Sequence, residues 1–128
     1  MPIELDHLIL QVNDARRSAE FYARILGLER ESPDGPFIPI RVTPRFVILL
    51  AECESAGGEH LAFALPKAEF DAAFARIVAA GIPYGDRYDS VGSMRSPGDE
   101  SGARGMGKAL YFYDPDEHLI EIRHYESA

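Results

Sequence analysis

The sequence has almost no cysteine, the residue that cross-links small folds through disulfides or through zinc bound by thiolates. Cys53 is the single cysteine among 128 residues, and tryptophan is absent. One cysteine excludes an intrachain disulfide and a zinc site built from several thiolates. No apolar run approaches the roughly 20 residues of a membrane-spanning helix. Residues 1–6 lack the basic and apolar regions of a signal peptide. We therefore expect a cytoplasmic protein without a membrane partner.

Basic residues are also scarce relative to acidic ones. Lysine and arginine total 13 against 21 aspartates and glutamates, so the formal net charge is −8. This balance argues against nucleic-acid binding, which needs a basic face, and against adhesion to an anionic membrane. Hydrophobic residues make up 46% of the chain, which is ordinary for a globular protein of one domain.

The chain contains an internal repeat. The run Asp-His-Leu followed by apolar residues over 6–12 resembles Glu-His-Leu over 59–65, with the two histidines 53 positions apart. Ala-Arg-Ile occurs at 23–25 and again at 75–77, at nearly the same offset. Two matches in the same order indicate two copies of one supersecondary unit. The predicted copies are module 1, about 1–56, and module 2, about 57–128.

Periodicity, caps and turns predict a strand, a helix and three strands in each module. The predicted strands are 3–12, 28–31, 37–43, 45–52, 59–65, 83–88, 108–113 and 118–125, and the predicted helices are 15–27 and 67–80. Pro36, Pro39 and Pro44 place strand 37–43 at a sheet edge or across a bulge. Residues 89–107 are rich in Gly and Ser and fit no regular element, so they are either a functional loop or disordered. Two sheets of this kind would form a cup that holds a ligand.

Strand alternation brings polar side chains to the predicted cup surface. His7 and Gln11 share one face of the first strand, and His60 occupies the equivalent place in module 2. Glu121 and Arg123 alternate with core isoleucines on the last strand, where a charge needs solvent or a partner. Two imidazoles and one carboxylate can hold a divalent ion of Fe, Mn, Ni, Co or Zn with positions left open for substrate.

A single histidine or glutamate on a strand is more often structural or solvated than a ligand. The repeat-equivalent placement of His7 and His60 favours the ligand interpretation for this pair. His118 and His124 have no such equivalence, so we interpret them as structural or exposed. Arg95 and Arg104 of the long loop are interpreted mainly as solvated side chains.

Three stretches resemble the vicinal oxygen chelate superfamily, which includes glyoxalase I, bleomycin-resistance proteins, fosfomycin-resistance enzymes and extradiol dioxygenases. They are 6–12 with 18–22 and 26–28, then 59–63, then 110–116 leading to 119–121. The resemblance implies one α+β domain over 1–128, made of two βαβββ modules that form a metal-binding cup. It places the metal ligands at His7, His60 and Glu121.

The resemblance also implies an activity and an assembly. We expect a metal-dependent lyase or dioxygenase whose small substrate chelates the metal through two oxygens. Glyoxalase I itself is disfavoured, because strand 46–50 lacks the fourth ligand of that enzyme. Small members of the superfamily commonly form homodimers with sites shared between chains, and we expect the same here. The alternative is a metal-free protein that sequesters a bleomycin-like cationic drug.

Four further side chains are candidates for chemistry at this site. In the dioxygenases a tyrosine near the metal assists proton transfer, and Tyr111 or Tyr113 could take that role. Gln11, like Tyr111, is a candidate for acid–base chemistry or for a hydrogen bond to a metal ligand. The fosfomycin enzymes hold a phosphonate with cationic residues, and by resemblance Arg123 could hold an anionic group of the substrate.

Overall fold

A computed structural model describes residues 2–54 and 56–126. The elements are β1 (His7–Val12), α1 (Ala15–Leu26), β2 (Glu29–Arg30), β3 (Phe37–Thr43), β4 (Phe46–Glu52), β5 (His60–Ala64), α2 (Lys67–Ala79), β6 (Tyr84–Gly85), β7 (Gly98–Gly102), β8 (Gly105–Tyr113) and β9 (Leu119–His124). Two sheets with one helix each confirm the predicted α+β class. The chain divides into two compact units, Met1–Gly57 and Gly58–Ala128. Within the described ranges, neither helix is long and apolar enough to cross a membrane.

The first unit has the predicted βαβββ order. Its sheet runs β1-β4-β3-β2, and β1 pairs in parallel with β4. The Asp14 carboxylate accepts a hydrogen bond from the Arg17 amide at 3.1 Å, which satisfies a free donor at the start of α1. Gly27 ends α1 in the left-handed conformation at φ 72°, which glycine adopts without strain. Both helix boundaries therefore follow from local sequence signals.

The first strand is shorter than its apolar pattern predicts. β1 begins at His7 because its partner β4 begins at Phe46, and the register pairs His7 with Val47. Among residues 2–54 and 56–126 no strand pairs with Ile3 or Leu5, which are 99% and 79% exposed. The predicted start at residue 3 is wrong for this reason.

Pro39 lies in an interior strand rather than at an edge. β3 pairs with β4 on one side and with β2 on the other. β2 pairs with Ile40 and Arg41, and the Glu31 amide just beyond β2 donates to the Pro39 carbonyl at 3.0 Å, so the pairing on this side ends where Pro39 has no N–H to donate. A register shift between Arg41 and Thr43 confirms the bulge, which was the other predicted placement.

The second unit contains a strand that the sequence analysis missed. Its sheet runs β5-β9-β8-β6, and β7 pairs with the first half of β8. The expectation that 89–107 holds no regular element is wrong, since β7 (Gly98–Gly102) and the start of β8 lie within it. Module 2 is thus βαββββ. A Cβ added at Gly107 would collide with the His124 carbonyl, so this glycine permits close packing and does not mark a flexible loop.

The last strand is buried along most of its length. Ile120 and Ile122 are fully buried, as predicted for the core face. Glu121 and Arg123 of the opposite face are also about 95% buried, at 5% and 4% exposure. Buried charged side chains such as these need oppositely charged or hydrogen-bonding partners in the fold.

Candidate functional site

Neighbouring parallel strands bring His60 and Glu121 together. β5 and β9 pair so that Ala62 lies opposite Glu121, and His60 is two residues before Ala62 on the same face. The His60 Nε2 atom is 3.1 Å from Glu121 Oε1. The His60 side chain is 48% exposed and that of Glu121 is 7% exposed. The carboxylate is therefore held in the sheet, while the imidazole stays accessible to solvent.

The His60–Glu121 contact has the length of a hydrogen bond, and the same spacing fits two ligands of one divalent ion. Nitrogen and oxygen ligands at about 2.0–2.1 Å from a metal, at tetrahedral to octahedral angles, lie about 2.9 to 3.4 Å apart. The observed 3.1 Å between His60 Nε2 and Glu121 Oε1 falls in that range. Within residues 2–54 and 56–126, no group of three or more His, Cys, Asp or Glu side chains is placed to hold a metal. The structure thus assembles two of the three predicted ligands.

Arg123 is the second partner of the Glu121 carboxylate. Its Nη1 donates to Glu121 Oε2 at 2.6 Å, and its Nη2 donates to the Glu100 carbonyl at 2.7 Å. The guanidinium lies over the Tyr125 ring, 4.8 Å from the centroid. Burial alone would lower the pKa of Arg123, but the hydrogen bond and charge of Glu121 outweigh it and raise that pKa. Arg123 therefore stays charged and neutralises Glu121.

Tyr111 lies beside the same carboxylate. It is the cross-strand partner of Glu121, and its ring centroid is 5.9 Å from that of His60. Its hydroxyl donates a hydrogen bond to the Glu100 carboxylate. Burial, followed by the hydrogen bonds with Glu100 and Glu121, raises the pKa of Tyr111 well above its ordinary value. At neutral pH the side chain is a phenol that keeps its proton.

Glu100 is the residue of this cluster that the sequence analysis missed. It lies on β7, inside the segment that was expected to lack regular structure. The sequence held a signal, since two residues, 103 and 104, stand between two glycines, and in the structure Gly105 has φ 104°. A short turn next to a glycine with positive φ is typical of a β-hairpin.

Three other candidate side chains, those of Tyr113, Arg104 and Arg95, are exposed at the surface. Tyr113 shares the β8 face of Tyr111 but is 44% exposed and pairs with Leu119. Arg104 lies 5.4 Å from the Tyr125 centroid at the surface, and Arg95 is exposed.

His7 and Gln11 belong to the first unit. Both lie on the exposed face of β1, as predicted, while Leu10 and Val12 are buried. The Nδ1 atom of His7 is 2.8 Å from Asp6 Oδ2, and the His7 side chain is 49% exposed. His7 is therefore accessible to a ligand, and its role as the third metal ligand stays a prediction.

Two other histidines have structural partners. His118 is fully buried, and its Nδ1 accepts a hydrogen bond from the Glu59 amide at 3.0 Å. His124 is 4% exposed and packs edge to face against Phe70, with centroids 4.8 Å apart. Both agree with the structural interpretation.

Comparison with known proteins decides the family. A family model described as Glyoxalase/Bleomycin resistance protein/Dioxygenase superfamily matches residues 4–122. The chain belongs to this superfamily. The resemblance seen in the sequence is therefore confirmed, and the match includes His60 and Glu121.

The relatives of this chain are named for different activities. The solved structure of oxidase ChaP-H2 is 30% identical, with a TM-score of 0.83, over 100% of this chain and 98% of that one. The metallothiol transferase FosB of Shouchella clausii (strain KSM-K16) is 32% identical over 63 residues, which are 49% of this chain. That match spans only 36% of the curated relative. The fosfomycin resistance protein FosX from Mesorhizobium loti, at 19% identity and a TM-score of 0.69 over 98% of this chain and 95% of that one, shows the shared fold alone.

Proposed function

We propose that the chain is a divalent-metal-dependent enzyme whose small substrate binds the metal through two oxygens. The observation that carries this proposal is the 3.1 Å pair of His60 Nε2 and Glu121 Oε1, with the imidazole open to solvent. The repeat in the sequence supplies His7 as the third ligand. When bound, an ion of Fe, Mn, Ni, Co or Zn would polarise the substrate oxygens as a Lewis acid.

The neighbouring side chains of the second unit have distinct roles in this proposal. Arg123 holds one oxygen of Glu121, so that the other oxygen points to His60. Tyr111 keeps its proton and donates a hydrogen bond to Glu100, which orients the phenol beside the imidazole. The phenol oxygen keeps its lone pairs and can accept a hydrogen bond from a hydroxyl of the substrate.

The reaction type is proposed from the site and from the names of the relatives. FosB is named a metallothiol transferase and ChaP-H2 an oxidase, so the superfamily supports both group transfer and oxidation on one scaffold. We propose a lyase, transferase or dioxygenase, not glyoxalase I, because residues 46–50 of β4 carry no ligand and Glu52 at its end accepts a hydrogen bond from the Ala15 amide at 3.2 Å. We also propose a homodimer whose sites are shared between the two chains. Gln11 is proposed for acid–base chemistry or for a hydrogen bond to a metal ligand, and Tyr113 is the alternative to Tyr111 as the tyrosine that assists proton transfer.

The test is metal content measured by mass spectrometry on untagged protein. We expect about one equivalent of a transition metal in the parent protein and a loss of that metal in His60→Ala, since the variant lacks one of the two adjacent ligands. His7→Ala should also lose the metal. Asp99→Ala is the matched control, because Asp99 pairs with Lys108 at 2.8 Å and is an exposed acid of the same unit. Iron would favour oxygenation, and manganese, nickel or zinc would favour lyase or transferase chemistry.

A specific observation favours a second candidate function. A carboxylate that Arg123 already neutralises needs no metal to be stable in the sheet. A metal-free protein with a net charge of −8 could sequester a cationic drug of the bleomycin type. If the parent protein binds no metal after reconstitution with all five ions, the metalloenzyme is excluded. Calorimetric titration with metal-free bleomycin would then test the sequestering function.

A further inference from the structure

We propose that Arg123 is an internal counter-ion of Glu121 that lowers the affinity of the site for its divalent metal. The inference rests on the proposed metal-binding function. Its first basis is the geometry of the carboxylate: Oε2 accepts from Arg123 at 2.6 Å, whereas Oε1 faces His60 at 3.1 Å. The side chains of Arg123 and Glu121 are 5% and 7% exposed, so solvent screens the pair only weakly.

The position of the guanidinium is set by the β7–β8 hairpin as well as by Glu121. The Glu100 carbonyl of β7 accepts from Arg123 Nη2 at 2.7 Å. A Cβ added at Gly102 would collide with Arg123 Cζ and the Tyr125 hydroxyl, and one at Gly107 would lie 3.2 Å from Nη2. Glycines at these two positions therefore leave the space that the guanidinium occupies. The hairpin thus holds a fixed positive charge against the carboxylate.

This charge has two consequences for a metal on the other oxygen. Without metal, Glu121 and Arg123 neutralise one another, so the fold does not depend on an ion to compensate the buried carboxylate. A metal on Oε1 would be a second cation on a carboxylate that Arg123 already neutralises. Even at the dielectric constant of water, the repulsion between a divalent and a monovalent ion about 6 Å apart would weaken binding about tenfold. Arg123 therefore lowers the affinity of the site for the metal.

The test is calorimetric titration of metal-free protein with Mn²⁺ and, separately, with Zn²⁺. We expect Arg123→Met to lower the Kd of both ions by about tenfold or more. Arg123→Lys keeps the charge and should stay within about threefold of the parent protein. Arg104→Met is the matched control, because Arg104 lies over the same Tyr125 ring at the surface. It should leave the Kd unchanged.

A second variant covers the case in which Arg123→Met does not fold. Gly102→Ala keeps every charged residue but places a methyl group where Arg123 Cζ lies, so it should displace the guanidinium and also tighten metal binding. Equal or weaker binding by the folded variants, with metal binding intact in the parent protein, overturns this inference alone. No binding by any of these proteins overturns the proposed function, and the inference falls with it.

Discussion

The Asp114 carboxylate holds the turn that leads into β9. Its Oδ1 accepts hydrogen bonds from the amides of Asp116 and His118, both at 2.9 Å. Asp114 is 4% exposed, so water is a poor substitute for the lost acceptor. His118 in turn accepts from the Glu59 amide at 3.0 Å, next to the start of β5. One side chain thereby fixes the strand that carries Glu121 and supports the strand that begins with His60.

Replacing Asp114 by alanine leaves two buried backbone N–H groups without an acceptor. Each such donor costs about 1–3 kcal/mol, and partial relaxation of the turn reduces the sum, so we expect a loss of about 2–4 kcal/mol in the free energy of unfolding. Asp114→Asn keeps an acceptor oxygen at the same place and should cost about 1 kcal/mol. The difference between the two variants isolates the hydrogen bonds from the shape of the side chain.

Urea unfolding followed by far-ultraviolet circular dichroism measures these differences. The slope of the free energy with urea should stay the same in both variants, since the surface exposed on unfolding does not change. A loss under about 0.5 kcal/mol for Asp114→Ala would refute the role of the carboxylate in the turn. An equal loss for Asp114→Asn would show that the charge matters and the acceptor geometry does not.

Two further predictions concern a strained turn and a surface ion pair. Glu117 has φ 64°, a conformation that glycine adopts without strain. Glu117→Gly should therefore raise the free energy of unfolding in urea by about 0.5–1 kcal/mol, whereas Glu117→Ala should not raise it. Equal effects of the two variants would contradict strain at this residue. The hydrogen bond from Arg41 lowers the pKa of Glu31. The ion pair therefore stabilises the fold fully above the ordinary glutamate pKa, and this stabilisation is lost as the pH falls through the lowered pKa of Glu31. Arg41→Met should therefore be less stable than the parent protein at pH 7, and thermal unfolding should show this gap closing as the pH falls through the lowered pKa of Glu31. A gap that stays constant would contradict the linkage.

The β7–β8 hairpin shows why composition misled the sequence analysis. The glycines and serines in 89–107 are typical of loops. Local propensity does not take into account which residues pack against each position in the fold. In the structure Gly102 and Gly107 lie against Arg123 and the backbone at His124, where a side chain would collide. Their small size serves packing between strands far apart in sequence, and this requirement appears only when the sheet is assembled.

The sequence by itself determined the repeat, the βαβββ order of the first unit and the end of α1 at Gly27, and it narrowed the N-cap to Asn13 or Asp14, because alternation and capping act between near neighbours. It also selected His60 and Glu121 as candidate ligands. Only the tertiary structure decided that Arg123 neutralises Glu121 and that Glu100 orients Tyr111. These partners come together through pairing of β5, β7, β8 and β9, and the register of such pairing is set by the whole sheet.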